Sequence, residues 1–308
     1  MYLTSNSPRG YFAANFAPGG LMHTIRLLCF VSIFWLVSTS ASAQQAASPS
    51  ASPTPSDSQA VTLLQQSLGV LAGVGTTTDV TMTGTVTATA GTSLQSGTIT
   101  MAATAVGQSR VAFNFPSGGW VTTSDYTLNP RVSTTSSSAG TTSDSPQDLL
   151  GPHPAWFYPA FLISAALTTD YVPSNYSQPT HGGVQVQHVT VAPHSPMPLF
   201  RSTNAAWVPL TVPPPEPNIY FGQQDLYIAP SSLYPSALDF RVQGQTSQTS
   251  SGSNPPVYLP EEVRYMNYEI VQGRPVATHL QVYIGSVLFY DIQISSAVFN
   301  TGVVIAAN

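Results

Sequence analysis

The segment YEIVQGRPVATHLQVYIGSVLFYDIQISSAVFNTG, residues Tyr268 to Gly302, alternates apolar and polar side chains almost without a break. Successive side chains of a strand point to opposite faces of a sheet, so this pattern calls for sheet with one buried and one wetted face. Gly273-Arg-Pro and Gly285-Ser punctuate it as turns, which predicts strands over Val276–Ile284 and Val287–Ser296, and a last one over Val298–Ile305. The stretch has no cysteine, no lysine and one histidine. It is rich in architecture and poor in reactive groups.

The same period recurs upstream. Val80–Thr89, Ser96–Ala105, Arg110–Phe115 and Trp120–Thr123 are separated by short Gly or Ser turns and read as an antiparallel meander. Gly182–Val191, Asp225–Ala229, Ser236–Gln243 and Glu262–Ile270 add further strands. Two segments have helical character instead. Val61, Leu64, Leu68 and Leu71 share one helix face, with Asp57 or Ser58 to cap it and Gly73 to end it. The apolar run Ala155–Leu167 has Pro159 where a first helical turn tolerates it, predicting a helix over about Trp156–Leu167. Residues 129–146, 193–217 (with eight prolines) and 244–256 read as exposed or irregular connections. The fold class is α+β and β-rich, an antiparallel sheet with helices on one face.

Compartment follows from the first residues. Arg26 opens the apolar run Leu27–Val37, and Ser38–Ala43 supplies a small-x-small end, the pattern of a secretory signal peptide over residues 1–43 cleaved after Ala43, with Met22 as an alternative start. The run is too short for a permanent membrane anchor, which needs about 20 residues. Residues 44–58, rich in Ser, Pro and Ala, form a linker, and residues 59–308 form a single domain. Cys29, the one cysteine, sits at the start of the apolar run and not at its end, so it is no lipidation site, and the rest of the chain has no disulfide. The expected location is the periplasm or beyond, without a lipid anchor.

Charge excludes several functions. All eight basic residues are arginines, and six of them beyond residue 43 face 13 carboxylates. Nucleic acid is therefore not a partner, since phosphate binding needs clustered cations. Five histidines lie beyond residue 43, at His153, His181, His188, His194 and His279, none at zinc-finger spacing, so no metal site is predicted. His188 falls on the face of Val184 and Val186 and reads as a partly buried structural histidine. Glu261 and Glu262 are adjacent in a strand and point to opposite faces, so they cannot form an acid–base pair. Neither a nucleophile elbow nor a phosphate loop occurs. No cofactor and no catalytic activity are expected.

The surplus is aromatic. Trp156, Phe157, Phe161, Leu162, Trp207 and Tyr227 are the candidate lining of an apolar hollow, while ordinary core packing accounts for at least half of the aromatic residues around them. Burial contributes about 0.8 kcal/mol per methylene, so roughly fifteen methylenes supply roughly 10 kcal/mol gross without a charged anchor.

The motifs Leu63-Leu-Gln-Gln-Ser-Leu with Gly73, Asp79-Val-Thr-Met-Thr-Gly-Thr-Val and Ala155-Trp-Phe-Tyr-Pro-Ala open an ordered series. Gly183-Val-Gln-Val-Gln-His-Val, Leu226-Tyr-Ile with Leu233-Tyr-Pro-Ser-Ala-Leu, and Tyr268-Glu-Ile-Val-Gln-Gly-Arg-Pro-Val complete it. In this order they resemble the LolA/LolB superfamily of bacterial lipoprotein carriers, over about residues 60–304. The resemblance implies an unclosed half-barrel with two or three helices on its concave face. It also implies a non-enzymatic periplasmic carrier of lipid or lipoprotein acyl chains, with an outer-membrane acceptor as a further partner. LolA proper uses a mobile arginine at its lid, and no arginine here stands at a matching position. A secreted structural or adhesion-type β protein with a filled core is the alternative, and a hydrolase using His153 or His188 the third.

Overall fold

A computed structural model of the chain describes residues 56–90, 93–127, 132–143, 154–193, 200–203, 206–209, 223–244 and 257–305. The signal peptide and most of the linker lie outside the described residues, as do His153 and His194. Among the described residues there are two helices, α1 (Ser58–Ala72) and α2 (Pro159–Ala166). The strands of the main sheet's first part are β1 (Asp79–Ala90), β2 (Ser93–Thr104), β3 (Gln108–Phe115), β4 (Gly118–Asp125), β5 (Val132–Ser137) and β6 (Gly140–Ser143). Between the helix α2 and the C-terminal meander come β7 (Tyr171–Ser177), β8 (Thr180–His181), β9 (Val184–Gln185), β10 (Gln187–Pro193), β11 (Phe200–Thr203) and β12 (Ala206–Pro209). The meander is β13 (Gln224–Ile228), β14 (Pro235–Gly244), β15 (Val257–Val271), β16 (Arg274–Ile284) and β17 (Val287–Phe299).

Thirteen strands form one antiparallel sheet in the order β6-β5-β4-β3-β2-β1-β17-β16-β15-β14-β13-β10-β7. The two end strands do not pair with each other, so the sheet is unclosed. β11–β12 and β8–β9 are separate two-stranded hairpins. The α+β, half-barrel architecture expected from the resemblance is the architecture observed.

Helix α1 forms where expected and for the expected reasons. The Asp57 carboxylate accepts from the Gln59 amide at 2.9 Å as N-cap, and Gly73, at φ 58°, ends the helix. The buried stripe is Ala60, Leu63, Leu64, Ser67 and Leu71, with Val61 and Leu68 at its margins. The other Asp57 oxygen accepts from the Tyr176 amide at 3.1 Å, so one carboxylate caps the helix and ties it to edge strand β7. Bonds from the Tyr176 and then the Gln59 amide hold this carboxyl below its ordinary pKa.

Several sequence readings are corrected. Residues 132–143, within the predicted loop 129–146, form the hairpin β5–β6. Polarity concealed it, because threonine is β-branched and its hydroxyl satisfies a neighbour across the ladder: Thr122 with Thr135 at 3.1 Å, Ser124 with Ser133 at 3.2 Å and Ser136 with Thr141 at 2.8 Å. The second helix starts at Pro159 and not at Trp156, since proline disfavours helical backbone in the residue before it. Tyr171–Ser177 is a strand that the pattern did not reveal, and the irregular segment 193–217 contains the β11–β12 hairpin. The predicted strand Gly182–Val191 starts at Val184, because Gly182 (φ 58°) and Gly183 (φ 81°) make a tight turn between β8 and β9. It is broken at Val186, whose amide donates to the Pro179 carbonyl at 3.0 Å. The two predicted C-terminal strands are one, β17, whose register with β1 runs from Ala88↔Tyr290 to Val80↔Phe299 before Asn300 (φ 56°) ends it.

The apolar core is a single cluster spanning the sheet from Phe113 and Phe115 to Val189 and Val191, with α1 and α2 packed on it. The rings of Phe113 on β3 and Tyr290 on β17 stand 4.9 Å apart although β2 and β1 lie between their strands. Three strand spacings are about 14 Å in a flat sheet, so this end of the sheet curls toward its core face. A bulge between Thr83 and Gly84 helps it do so. A Cβ at Gly84 would stand 2.0 Å from the Gln293 carbonyl oxygen. Gly84→Val is accordingly expected to cost about 2–3 kcal/mol, read as a lower urea midpoint with an unchanged m-value.

Candidate functional site

The two faces of the sheet differ in chemistry. On the core face, α2 and the turn before it bring together four of the six residues expected to line an apolar hollow. Phe157, Phe161 and Leu162 are buried to 0%, 5% and 3% exposure, and Trp156 is half-buried against them. Trp156 meets Phe157 edge to face at 5.7 Å, and the Tyr265 hydroxyl donates to the Trp156 carbonyl at 2.6 Å, locking the turn onto β15. Tyr158 packs edge-on to Phe161 at 4.9 Å and lies 5.7 Å from Phe299. The two helices pack on each other, and α1 touches β7, β10 and β16. Beside this packed region, a cavity of about 240 Å³ opens between α1 and the sheet, lined by Ser58, Gln59, Thr62, Leu63, Gln66, Tyr176 and Gln187. It is mostly polar, and smaller than the roughly 300 Å³ at which ligand pockets begin.

Trp207 falls on β12, whose side chains lie outside the described set. Tyr227 does not join the other four. Leu226 and Ile228 of β13 face the core, so Tyr227 between them faces the other side.

That opposite face carries a polar field built by register. Asp225 pairs with Asp239, Asp239 with Glu262, and Glu262 with Tyr283, so four neighbouring strands set these side chains in a row. Glu261, next to Glu262, pairs with core residue Phe240 and is on the other face, as alternation requires. His188 Nε2 lies 2.8 Å from Asp225, and its Nδ1 lies 3.0 Å from the Ser177 hydroxyl. Burial pushes the Asp225 carboxyl up, but bonds from His188 and Thr190 outweigh it and hold it below its ordinary pKa. His188 is partly buried and bonded through both ring nitrogens, but it stands on the polar face beside Tyr227 and not on an apolar face shared with Val184, which is exposed.

His181 arrives from outside the main sheet. The Gly182–Gly183 turn folds β8 so that its ring stacks on Tyr227 at 4.0 Å and 18°. Burial lowers its pKa. Asp239 behaves in the opposite sense: burial, then the Glu262 charge, with Asp225 contributing less, push its carboxyl up to about 6. Burial and the charges of Asp239 and Asp225 raise the Tyr227 hydroxyl. Arg264 grips Glu262 with two bonds, of 2.6 and 3.0 Å, and lies 4.2 Å over the Tyr283 ring. Histidine spacing in the sequence gives no hint of this group. His181, Asp239 and Glu262 are separated by long stretches of chain, and only strand register and one hairpin bring them together.

No family model matches the chain, and no curated protein matches it by sequence. Solved structures do match in shape. A putative outer membrane lipoprotein-sorting protein domain from Vibrio parahaemolyticus aligns at 12% identity and TM-score 0.46, over 79% of this chain and 93% of its own. A LolA superfamily protein from Nitrosomonas europaea aligns at 12% identity and TM-score 0.42, over 77% and 92%. A DUF1329 family protein from Desulfovibrio piger aligns at 11% identity and TM-score 0.50, over 82% of this chain and 96% of its own. This chain shares the overall fold of the Desulfovibrio protein, an unclosed antiparallel sheet with helices on one face, across nearly that protein's whole length.

Proposed function

We propose that the chain is an exported, non-enzymatic carrier that receives acyl chains of lipids or lipoproteins between its helix pair and the core face of its sheet. One observation carries this reading: a thirteen-stranded sheet stays unclosed, with an apolar face continuous from β3 to β10, while the two helices among the described residues span only 15 and 8 residues. Export rests on the signal-like residues 1–43, and no helix among the described residues is long and apolar enough to cross a membrane. The words lipoprotein-sorting attached to the Vibrio protein agree with the reading without extending to this chain.

The cavity beside α1 is too small for a full acyl chain, so loading requires α1 to lift from Phe157, Phe161 and Leu162. The helix is held by the Asp57 amide on the Pro173 carbonyl at 2.9 Å, the Asp57 carboxylate on Tyr176, the Ser67 hydroxyl on the Leu233 carbonyl at 2.8 Å, and its leucine stripe. Mass spectrometry of organic extracts from the purified chain is expected to show stoichiometric acyl species. Phe161→Asp, which puts a charge on the loading surface, is expected to remove them. Clean extracts together with no uptake of a fluorescent fatty acid overturn the proposal. The second reading, a structural β protein with a filled core, draws on the burial of Phe157 and Leu162, and the same extracts decide against it if they contain lipid.

A further inference from the structure

The gaps around His181 have lengths that hydrogen bonding does not explain. Its Nε2 stands 3.6 Å from Glu262 Oε1 and 3.9 Å from Asp239 Oδ2, both too long for a hydrogen bond. Asp239 Oδ1 is buried without a hydrogen-bond partner of good geometry, although the Tyr227 hydroxyl interacts with this carboxyl group, an arrangement that native structures seldom leave unexplained. One ligand atom from each of the three residues lies within 4.8 Å of the others. Two ligands sharing a zinc ion, each about 2.1 Å from it at a tetrahedral angle, stand roughly 3.4 Å apart. For the two pairs with His181 the difference is a few tenths of an ångström, and the two carboxylate oxygens, within 4.8 Å of each other, close the rest by side-chain rotation.

We propose that His181, Asp239 and Glu262 form a binding site for one divalent transition-metal ion of the zinc type, with a fourth position open to water. An imidazole with two carboxylates suits zinc and its neighbours better than magnesium or calcium, which prefer all-oxygen sites. Among the described residues Arg264 is the one arginine bonded to this pair, through Glu262, so a cation would add to the neutralisation of the two carboxylates. Arg264 fixes Glu262 by its two bonds, and a carboxylate with about four lone-pair sites still has capacity for an ion. Tyr227 does the same for the imidazole by stacking on it, a supporting contact of the kind that orients metal ligands. His188 is not a fourth ligand, because Asp225 and Ser177 already occupy its two nitrogens. An ion here pins the β8–β9 hairpin across β14 and β15. The site lies on the face away from the helices and stands independently of acyl-chain loading.

Isothermal titration of the EDTA-stripped chain with Zn²⁺ tests it. One ion per chain is expected, with a melting temperature raised by roughly 5–10 °C at hundredfold excess over Kd. His181→Ala and Asp239→Asn are each expected to weaken binding at least tenfold and to abolish the thermal shift. In EDTA, Asp239→Asn is expected to melt no lower than the parent chain, since it removes a charge beside Glu262, so it decides the matter even if the histidine variant folds poorly. Absence of saturable heat with the parent chain, or less than a tenfold loss in Asp239→Asn, overturns the proposal.

Discussion

Replacing Phe157 by alanine is expected to lower the stability of the chain by about 3–5 kcal/mol, seen as a fall in the urea midpoint at constant m-value. The side chain is completely buried in the apolar core just before α2, with Trp156 in an edge-to-face contact, and the polypeptide around it is tied down. The Tyr158 amide donates to the Ala155 carbonyl at 2.8 Å and the Tyr265 hydroxyl to the Trp156 carbonyl, so the walls cannot collapse far into the space left. For a domain whose total stability is typically about 5–15 kcal/mol, this is a large share. The variant also separates the two functional readings. If α1 lifts to admit acyl chains, a saturated fatty acid added in excess enters the new cavity and restores part of the loss. If the core is permanently closed, the midpoint stays where the mutation put it.

Removing the Asp79 carboxylate is expected to cost about 2–4 kcal/mol and to unfasten the C-terminal segment after β17. Asp79 is 3% exposed. It accepts from the Thr301 amide at 2.8 Å, the Thr301 hydroxyl at 2.9 Å, the Thr78 hydroxyl at 3.0 Å and the Gly302 amide at 3.1 Å. Burial alone pushes the carboxyl pKa up, but the Thr301, Thr78 and Gly302 bonds together outweigh it, and the net direction is down. A carboxylate whose folded pKa lies below its unfolded value of about 3.9 stabilises the native state fully at neutral pH. That contribution begins to fade as the pH falls through the unfolded value and is gone below the folded one. Asp79→Ala is therefore expected to show its full deficit at pH 7 and to converge on the parent chain in acid, with hydrogen exchange faster at Thr301 and Gly302 at neutral pH.

The elements legible in the sequence were those whose local chemistry agrees with their tertiary role. Asp57 and Gly73 bracket α1 because capping is decided within a few residues. The C-terminal meander was legible because its two-faced alternation has only one economical placement. The β5–β6 hairpin was not, since hydroxyl ladders carry no hydrophobic period, and the break at Val186 was hidden because its valine continues the alternation on both sides. Among the candidate lining residues, Trp156, Phe157, Phe161 and Leu162 are close in sequence and stay together in space. Tyr227 lies on a strand whose neighbours decide which way it faces, and it joins the polar group instead.

By itself the sequence determined the class of architecture: a period of two over most of the chain, with two helical segments, can bury its apolar face only as an antiparallel sheet covered on one side. Only the tertiary structure decided which polar residues meet. His181, Asp239 and Glu262 converge through inter-strand register and a glycine turn. Register is set by contacts between distant segments, and no local pattern along the chain encodes it.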